Sequence, residues 1–156
     1  MLIKFKRIND LRVDNDMTMK QLAKILNISE DSYYDYEHGR SNFPLDKLND
    51  FANLFEVSFD YITNLSNVKN GAGKKIDYEI LKQRLKTIRL KKGLSQEKVA
   101  KILGDRQSTY WNYENGVSLI PIAKLYMLAK FYQISIDYFL GKTDNPKIIK
   151  AEKVNS

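Results

Sequence analysis

The stretch Leu94–Gly116, LSQEKVAKILGDRQSTYWNYENG, decides how the rest of the chain is read. It divides into two short helices around a tight turn. Ser95 stands where a hydroxyl can accept one of the N–H groups left without a partner at a helix start. Val99, Ile102 and Leu103 then fall at i, i+3 and i+4, a single apolar stripe. Gly104 ends that helix, since glycine adopts positive φ without the steric penalty other residues meet. In the second helix Tyr110 and Tyr113 are spaced to face inward, and Asn115-Gly116 closes it. Arg106, Gln107, Ser108, Trp111 and Asn112 remain on its outer face.

The same pattern occurs twice. A shift of 77 residues aligns the two halves without a gap from Arg7/Arg84 to Asp60/Asp137. Paired identities include Arg12/Arg89, Ala23/Ala100, Leu26/Leu103, Tyr33/Tyr110, Glu37/Glu114, Gly39/Gly116, Pro44/Pro121 and Tyr61/Tyr138. Each unit reads as five helices. The first carries Ile8 and Leu11, or Leu85 and Ile88, inward. The second begins at Thr18 or Ser95, and Thr18 with Gln21 has capping-box spacing. The third runs from about Ser29 to His38, or from Arg106 to Asn115. Pro44 and Pro121 suit the first turn of the fourth, whose stripe is Leu48, Phe51, Ala52 and Phe55, or Leu125, Leu128, Ala129 and Tyr132. Ser58 and Ser135 cap a short fifth helix that is expected to bury Tyr61 and Tyr138. The fold class expected is all-α, two tandem five-helix domains over residues 1–66 and 79–143. Residues 67–78, with Asn70-Gly71 and Gly73, read as a flexible linker spanning roughly 20 Å. Residues 144–156, polar and basic, read as a disordered tail.

Helix, glycine turn and a second helix with amide and guanidinium groups outward is the plan of a helix-turn-helix that lies in a DNA groove. Charge agrees with it. The net +7 is unevenly divided: residues 1–70 hold 9 Lys+Arg against 11 Asp+Glu, and residues 71–156 hold 17 against 8. A phosphate backbone attracts the second half and weakly repels the first. No apolar run approaches the roughly 18 residues that cross a bilayer, and no signal peptide precedes the first helix, so a cytoplasmic location without a membrane partner is expected. With no cysteine and a single histidine, His38, neither a thiolate metal site nor a histidine cluster is available. NGAGKK in the linker lacks the spacing of a phosphate loop. No catalytic, metal or cofactor role is assigned to any residue.

At these residues the chain resembles the phage repressor and Cro family of helix-turn-helix proteins, the XRE family. SQEKVAKIL, the Gly104 turn, YWNYENG and Pro121 carry the likeness most specifically, and it covers both repeats. The resemblance implies lambda-repressor-like domains and double-stranded DNA as the partner. It implies an ion pair between the first and third helices, for which Arg89 with Glu114 and Arg12 with Glu37 are placed. It also implies a contact map: Gln96 on phosphate, Gln107 and Ser108 on bases behind Arg106, Asn112 one turn on, and Asn115 on phosphate, with Thr109 and Trp111 in the same set. Arg bidentate to guanine, or Gln and Asn to adenine, discriminates by about 1–3 kcal/mol each. For Trp111 a thymine methyl, a sugar and a protein interface all stay open.

The first repeat departs from this pattern. Glu30, Asp31 and Asp35 occupy the places of Gln107, Ser108 and Asn112, and Met19 replaces Gln96. Carboxylates in one groove face the phosphates at a cost that outweighs one cytosine contact. Glu30, Asp31, Ser32, Tyr34, Asp35 and Arg40 are therefore assigned to a protein partner or a weak DNA contact. Leu119, Ile120, Tyr126 and Met127 stand where the first repeat has Asn42, Phe43, Asn49 and Asp50. These fit a contact with the other repeat, a homodimer contact, or a change in core shape. Two function classes follow. One is a sequence-specific transcriptional regulator, a repressor of phage or mobile-element type reading with its second repeat. The other is an antitoxin-like or adaptor module acting through its acidic first repeat.

Overall fold

The computed structural model describes residues 1–151; the last five residues of the expected tail, 152–156, lie outside the described residues. Among the described residues ten helices follow one another in two sets of five. The first set is α1 Lys6–Asp14, α2 Met19–Ile25, α3 Glu30–Glu37, α4 Leu45–Leu54 and α5 Phe59–Ile62. The second is α6 Tyr78–Lys91, α7 Gln96–Leu103, α8 Gln107–Glu114, α9 Ile122–Tyr132 and α10 Ile136–Phe139. Local chemistry sets the boundaries. Thr18 accepts from the Gln21 N–H at 3.1 Å while the Gln21 side chain accepts from the Thr18 N–H at 2.9 Å, a closed capping box. Ser29, Ser58, Ser95 and Ser135 each cap the helix that follows. Pro44 and Pro121 sit at the N-cap, one residue ahead of the expected first turn. Gly104 ends α7 at φ +71°, and Asn27 holds the equivalent place at +56°.

The core departs from the expected stripes in three places, one of them Phe55, which is half-buried at the end of α4. Val99, Ala100 and Leu103 are the buried face of α7, while Ile102 is only half-buried. Tyr61 and Tyr138 are half-buried too, because Phe59, Ile62, Ile136 and Phe139 fill the interior from the short helices. Each tyrosine instead lies under a guanidinium: Arg7 is 4.1 Å from the Tyr61 ring centroid, Arg84 3.9 Å from that of Tyr138. Arg7 also donates to the carbonyls of Tyr61 and Ser66, and Arg84 to those of Tyr138 and Thr143. These clamps tie α1 to α5 and α6 to α10 by satisfying carbonyls that a short helix leaves open.

The units meet through α5 and α10. Asp60 accepts from the Ile136 N–H at 2.7 Å and from the Ser135 hydroxyl, at the start of α10. Asp137 accepts from the Phe59 and Asp60 N–H groups at 3.0 and 2.9 Å, at the start of α5. Each carboxylate caps the other unit's helix, an exchange of like contacts about an approximate two-fold axis. Lys142 is buried beside them, its ammonium 4.9 Å from the Phe59 ring centroid. To one side Tyr126 meets Phe5 edge-on at 5.5 Å, and the Ala123 N–H donates to Asn42 at 3.4 Å. Of the apolar residues peculiar to the second repeat, Tyr126 therefore serves the inter-repeat contact and Ile120 the core, while Leu119 stays exposed.

The connecting segment and the described part of the tail, residues 144–151, are bonded to the helices rather than free of them as expected. The Ser58 N–H donates to Lys69 O at 2.6 Å, Asn49 and Asn53 both donate to Lys74 O at 3.2 Å, and Asp77 caps the Ile80 N–H at 3.1 Å, so α6 begins at Tyr78 inside the expected linker. In the tail the Ser135 N–H donates to Pro146 O at 3.0 Å, and Arg84 pairs with Asp144 at 3.0 Å. Lys69 and Pro146 are equivalent positions. The repeated unit includes a strap after the fifth helix whose carbonyl satisfies a buried N–H. Turn-forming composition hid that strap.

Candidate nucleic-acid interface

In the second unit a chain of polar bonds runs from the interior to the surface. Arg89 on α6 is buried and forms a two-pronged pair with Glu114 at the end of α8. Its Nη1 also donates to Leu94 O at 2.9 Å, just before α7. Gln96, opening α7, donates to Glu114 Oε2 at 2.9 Å, and Gln107, opening α8, donates to Gln96 Oε1 at 2.8 Å. Burial raises the Glu114 carboxyl, but the bonds from Arg89 and Gln96 outweigh it and hold the group below the usual carboxylate range. A permanent charge inside thus orients two amides, the half-buried one of Gln96 and the exposed one of Gln107. Gln107 spends one amide proton on Gln96, which leaves its oxygen and second proton to face outward.

The start of α8 is electropositive. Arg106 is its N-cap and makes no side-chain cap bond, and no acidic residue lies in the first turn. Arg106, Gln107 and Ser108 are exposed, Thr109 and Asn112 half-buried, and Trp111 is 44% exposed. Asn115 is exposed, with its amide already donating to Trp111 O at 2.9 Å. The residues assigned to DNA contact thus lie along α8 and its two caps, with Gln96 at the start of α7 bonded to Gln107. An ion pair that the sequence reading missed, Asp105 with Lys124, ties the turn between α7 and α8 to α9. Its first-repeat counterparts are Ile28 and Lys47, so the repeat comparison carried the signal as a changed pair.

The first unit is built on the same brace and presents different chemistry. Arg12 holds Glu37 through Nε at 2.9 Å and Nη2 at 3.0 Å. Met19 cannot take the part of Gln96, and Asn9 on α1 donates to Glu37 instead, at 2.6 Å. The third bond to the carboxylate is therefore kept without an exposed amide at the surface. The Ser29 hydroxyl caps α3 through the Ser32 N–H at 3.0 Å, and Glu30 and Asp31 further neutralise the positive end of that helix. Tyr34, at the place of Trp111, stacks on His38 at 3.8 Å with the Arg40 guanidinium 5.2 Å from its ring. Where α8 offers a bare N-terminus and an uncovered indole, α3 offers carboxylates and an aromatic already engaged.

The helix-turn-helix family matches this chain twice, over residues 8–62 and 85–139. An uncharacterized HTH-type transcriptional regulator of Bacillus subtilis, YobD, is 41% identical over 73 residues, 47% of this chain and 64% of the relative. An uncharacterized HTH-type transcriptional regulator of Rickettsia prowazekii is 31% identical over 87 residues, 54% of this chain and 66% of the relative. The matched stretch thus spans less than two thirds of either relative's length. No solved structure matches.

Proposed function

The chain belongs to the helix-turn-helix family in two tandem copies, and from that premise we propose that it is a sequence-specific DNA-binding transcriptional regulator, a repressor of phage or mobile-element type. The observation that carries this reading is the bonded series Arg89–Glu114–Gln96–Gln107, which fixes a phosphate-directed and a base-directed amide together beside an uncapped helix start. In this reading Gln96 and Asn115 meet phosphate. Arg106, Gln107, Ser108 and Asn112 meet base edges in the major groove, with Thr109 and Trp111 against sugar and methyl groups. The first unit holds the second in place and does not read bases through Glu30, Asp31 and Asp35.

Selection from random duplexes followed by a salt titration tests it. The expected result is an enriched sequence whose affinity falls steeply with salt, the slope set by the phosphates neutralised. Failure to enrich any sequence, or binding indifferent to salt, overturns it. The acidic, capped face of α3 favours a protein partner for that unit alone. Loss of DNA binding together with recovery of a stoichiometric protein partner would favour the adaptor reading.

A further inference from the structure

A contact of like with like about a two-fold axis is how two identical DNA-binding units come to sit on two half-sites. In this chain such a contact lies inside one molecule. Asp60 caps α10 and Asp137 caps α5, from equivalent positions in the two repeats, onto the equivalent N–H groups of Ile136 and Phe59. Both carboxylates are buried, as are Phe59, Ile62, Ile136 and Phe139. The surface by which one unit could pair with another is thus already occupied. The heads it joins are unequal: α8 carries Gln107, Ser108 and Asn112 where α3 carries Glu30, Asp31 and Asp35.

We infer that the seam between the repeats replaces a contact between two chains, so that a single copy engages duplex DNA on a site lacking two-fold sequence symmetry. The seam is intramolecular, so its occupancy does not depend on protein concentration, unlike an association between chains. Binding needs no prior pairing step, and the isotherm keeps the shape of one-to-one association down to the lowest concentrations. The two halves of the site differ, because only the half under α8 meets amides and a guanidinium aimed at base edges.

This rests on the proposed function, and three measurements on the full chain separate the two. Light scattering without DNA is expected to give the mass of one chain, 18.2 kDa, across micromolar concentrations; twice that mass overturns the inference. Titration of the selected duplex is expected to reach one chain per duplex with a Hill coefficient of 1, on a sequence that is not an inverted repeat. Two chains per duplex, or an inverted-repeat consensus, overturns the inference and leaves the proposed function standing. A single-chain mass with no duplex bound overturns both. In Asp137→Asn, amide exchange at Phe59 and Asp60 should accelerate by about tenfold or more while Tyr110 and Tyr113 in α8 keep their protection. Unchanged exchange at Phe59 and Asp60 means the seam does not hold the units together, and the inference falls.

Discussion

In the proposed reading Gln107 discriminates a base only if its amide reaches the groove in one orientation, and the bond to Gln96 restricts that orientation. Gln107→Ala should therefore relax specificity at one base pair, at a cost of about 1–3 kcal/mol in competition assays with single-base variants of the site. Gln96→Ala should weaken all sequences alike, which the same assay separates from the first effect. Glu114 stands behind both. Its removal strands the buried Arg89, and Glu114→Ala should lower stability by roughly 3–5 kcal/mol, read from the urea midpoint. The pH dependence follows from the same carboxyl. Held below its ordinary range, it contributes stability that is fully present above that range and is lost as pH falls through the folded value. Glu37 behaves alike in the first unit, so acid should loosen both units.

At the scale of helices, α3 and α8 share length and position but differ in how their positive ends are used. Ser29 and two carboxylates satisfy α3, whereas α8 starts at an uncapped Arg106. Arg106→Ser would give α8 the cap that α3 already has. The variant should gain about 1 kcal/mol in thermal stability and lose affinity for DNA, because the amides it satisfies and the charge it removes both favour phosphate. A joint rise or joint fall in stability and affinity would contradict that division. The turn between α7 and α8 is a second element-level test. A Cβ at Gly104 has free space around it, so Gly104→Ala isolates the cost of φ +71° without a clash. A destabilisation of roughly 1–2 kcal/mol is expected from the chemical denaturation midpoint.

The whole molecule depends on a seam whose polar contacts involve two carboxyls close together. Burial and the neighbouring Asp137 charge push the Asp60 carboxyl up to about 7, against hydrogen bonds from Ser135 and Ile136 that favour its ionised form. Besides Asp137, the buried Lys142, whose ammonium burial disfavours, faces this cluster, and Lys74 and Lys147 line the same cavity. A folded value above the unfolded one means the native state holds the proton more tightly. That stabilisation is full below about pH 4 and is lost as pH rises toward 7. The seam should therefore tighten in mild acid, with a ceiling of about 4 kcal/mol. Comparing urea midpoints at pH 5.5 and pH 8 checks the sign, and Asp60→Asn should remove most of the difference. Greater seam stability at pH 8 would show that the bonds to the ionised form win.

The repeat, the number of helices and most of their caps were legible in the sequence because each depends on spacing within one unit or on identity between units, whereas both Arg–Glu braces were implied by the resemblance to the repressor and Cro family. Thr18 with Gln21 and Arg89 with Glu114 needed no knowledge of how the units meet. Asp60 and Asp137 did. In sequence each is simply an acidic residue in the first turn of its own short helix, where the dipole alone explains it. Only tertiary structure turns the two toward each other's helix, since a carboxylate at a helix start can serve any N–H groups brought within reach. For the same reason Tyr61, expected to be buried, is half-buried under Arg7, the strap at Lys69 and Pro146 was read as flexible chain, and the link from Gln96 to Gln107 was not foreseen. Local sequence sets which groups need a partner, and packing at a distance along the chain decides which partner arrives.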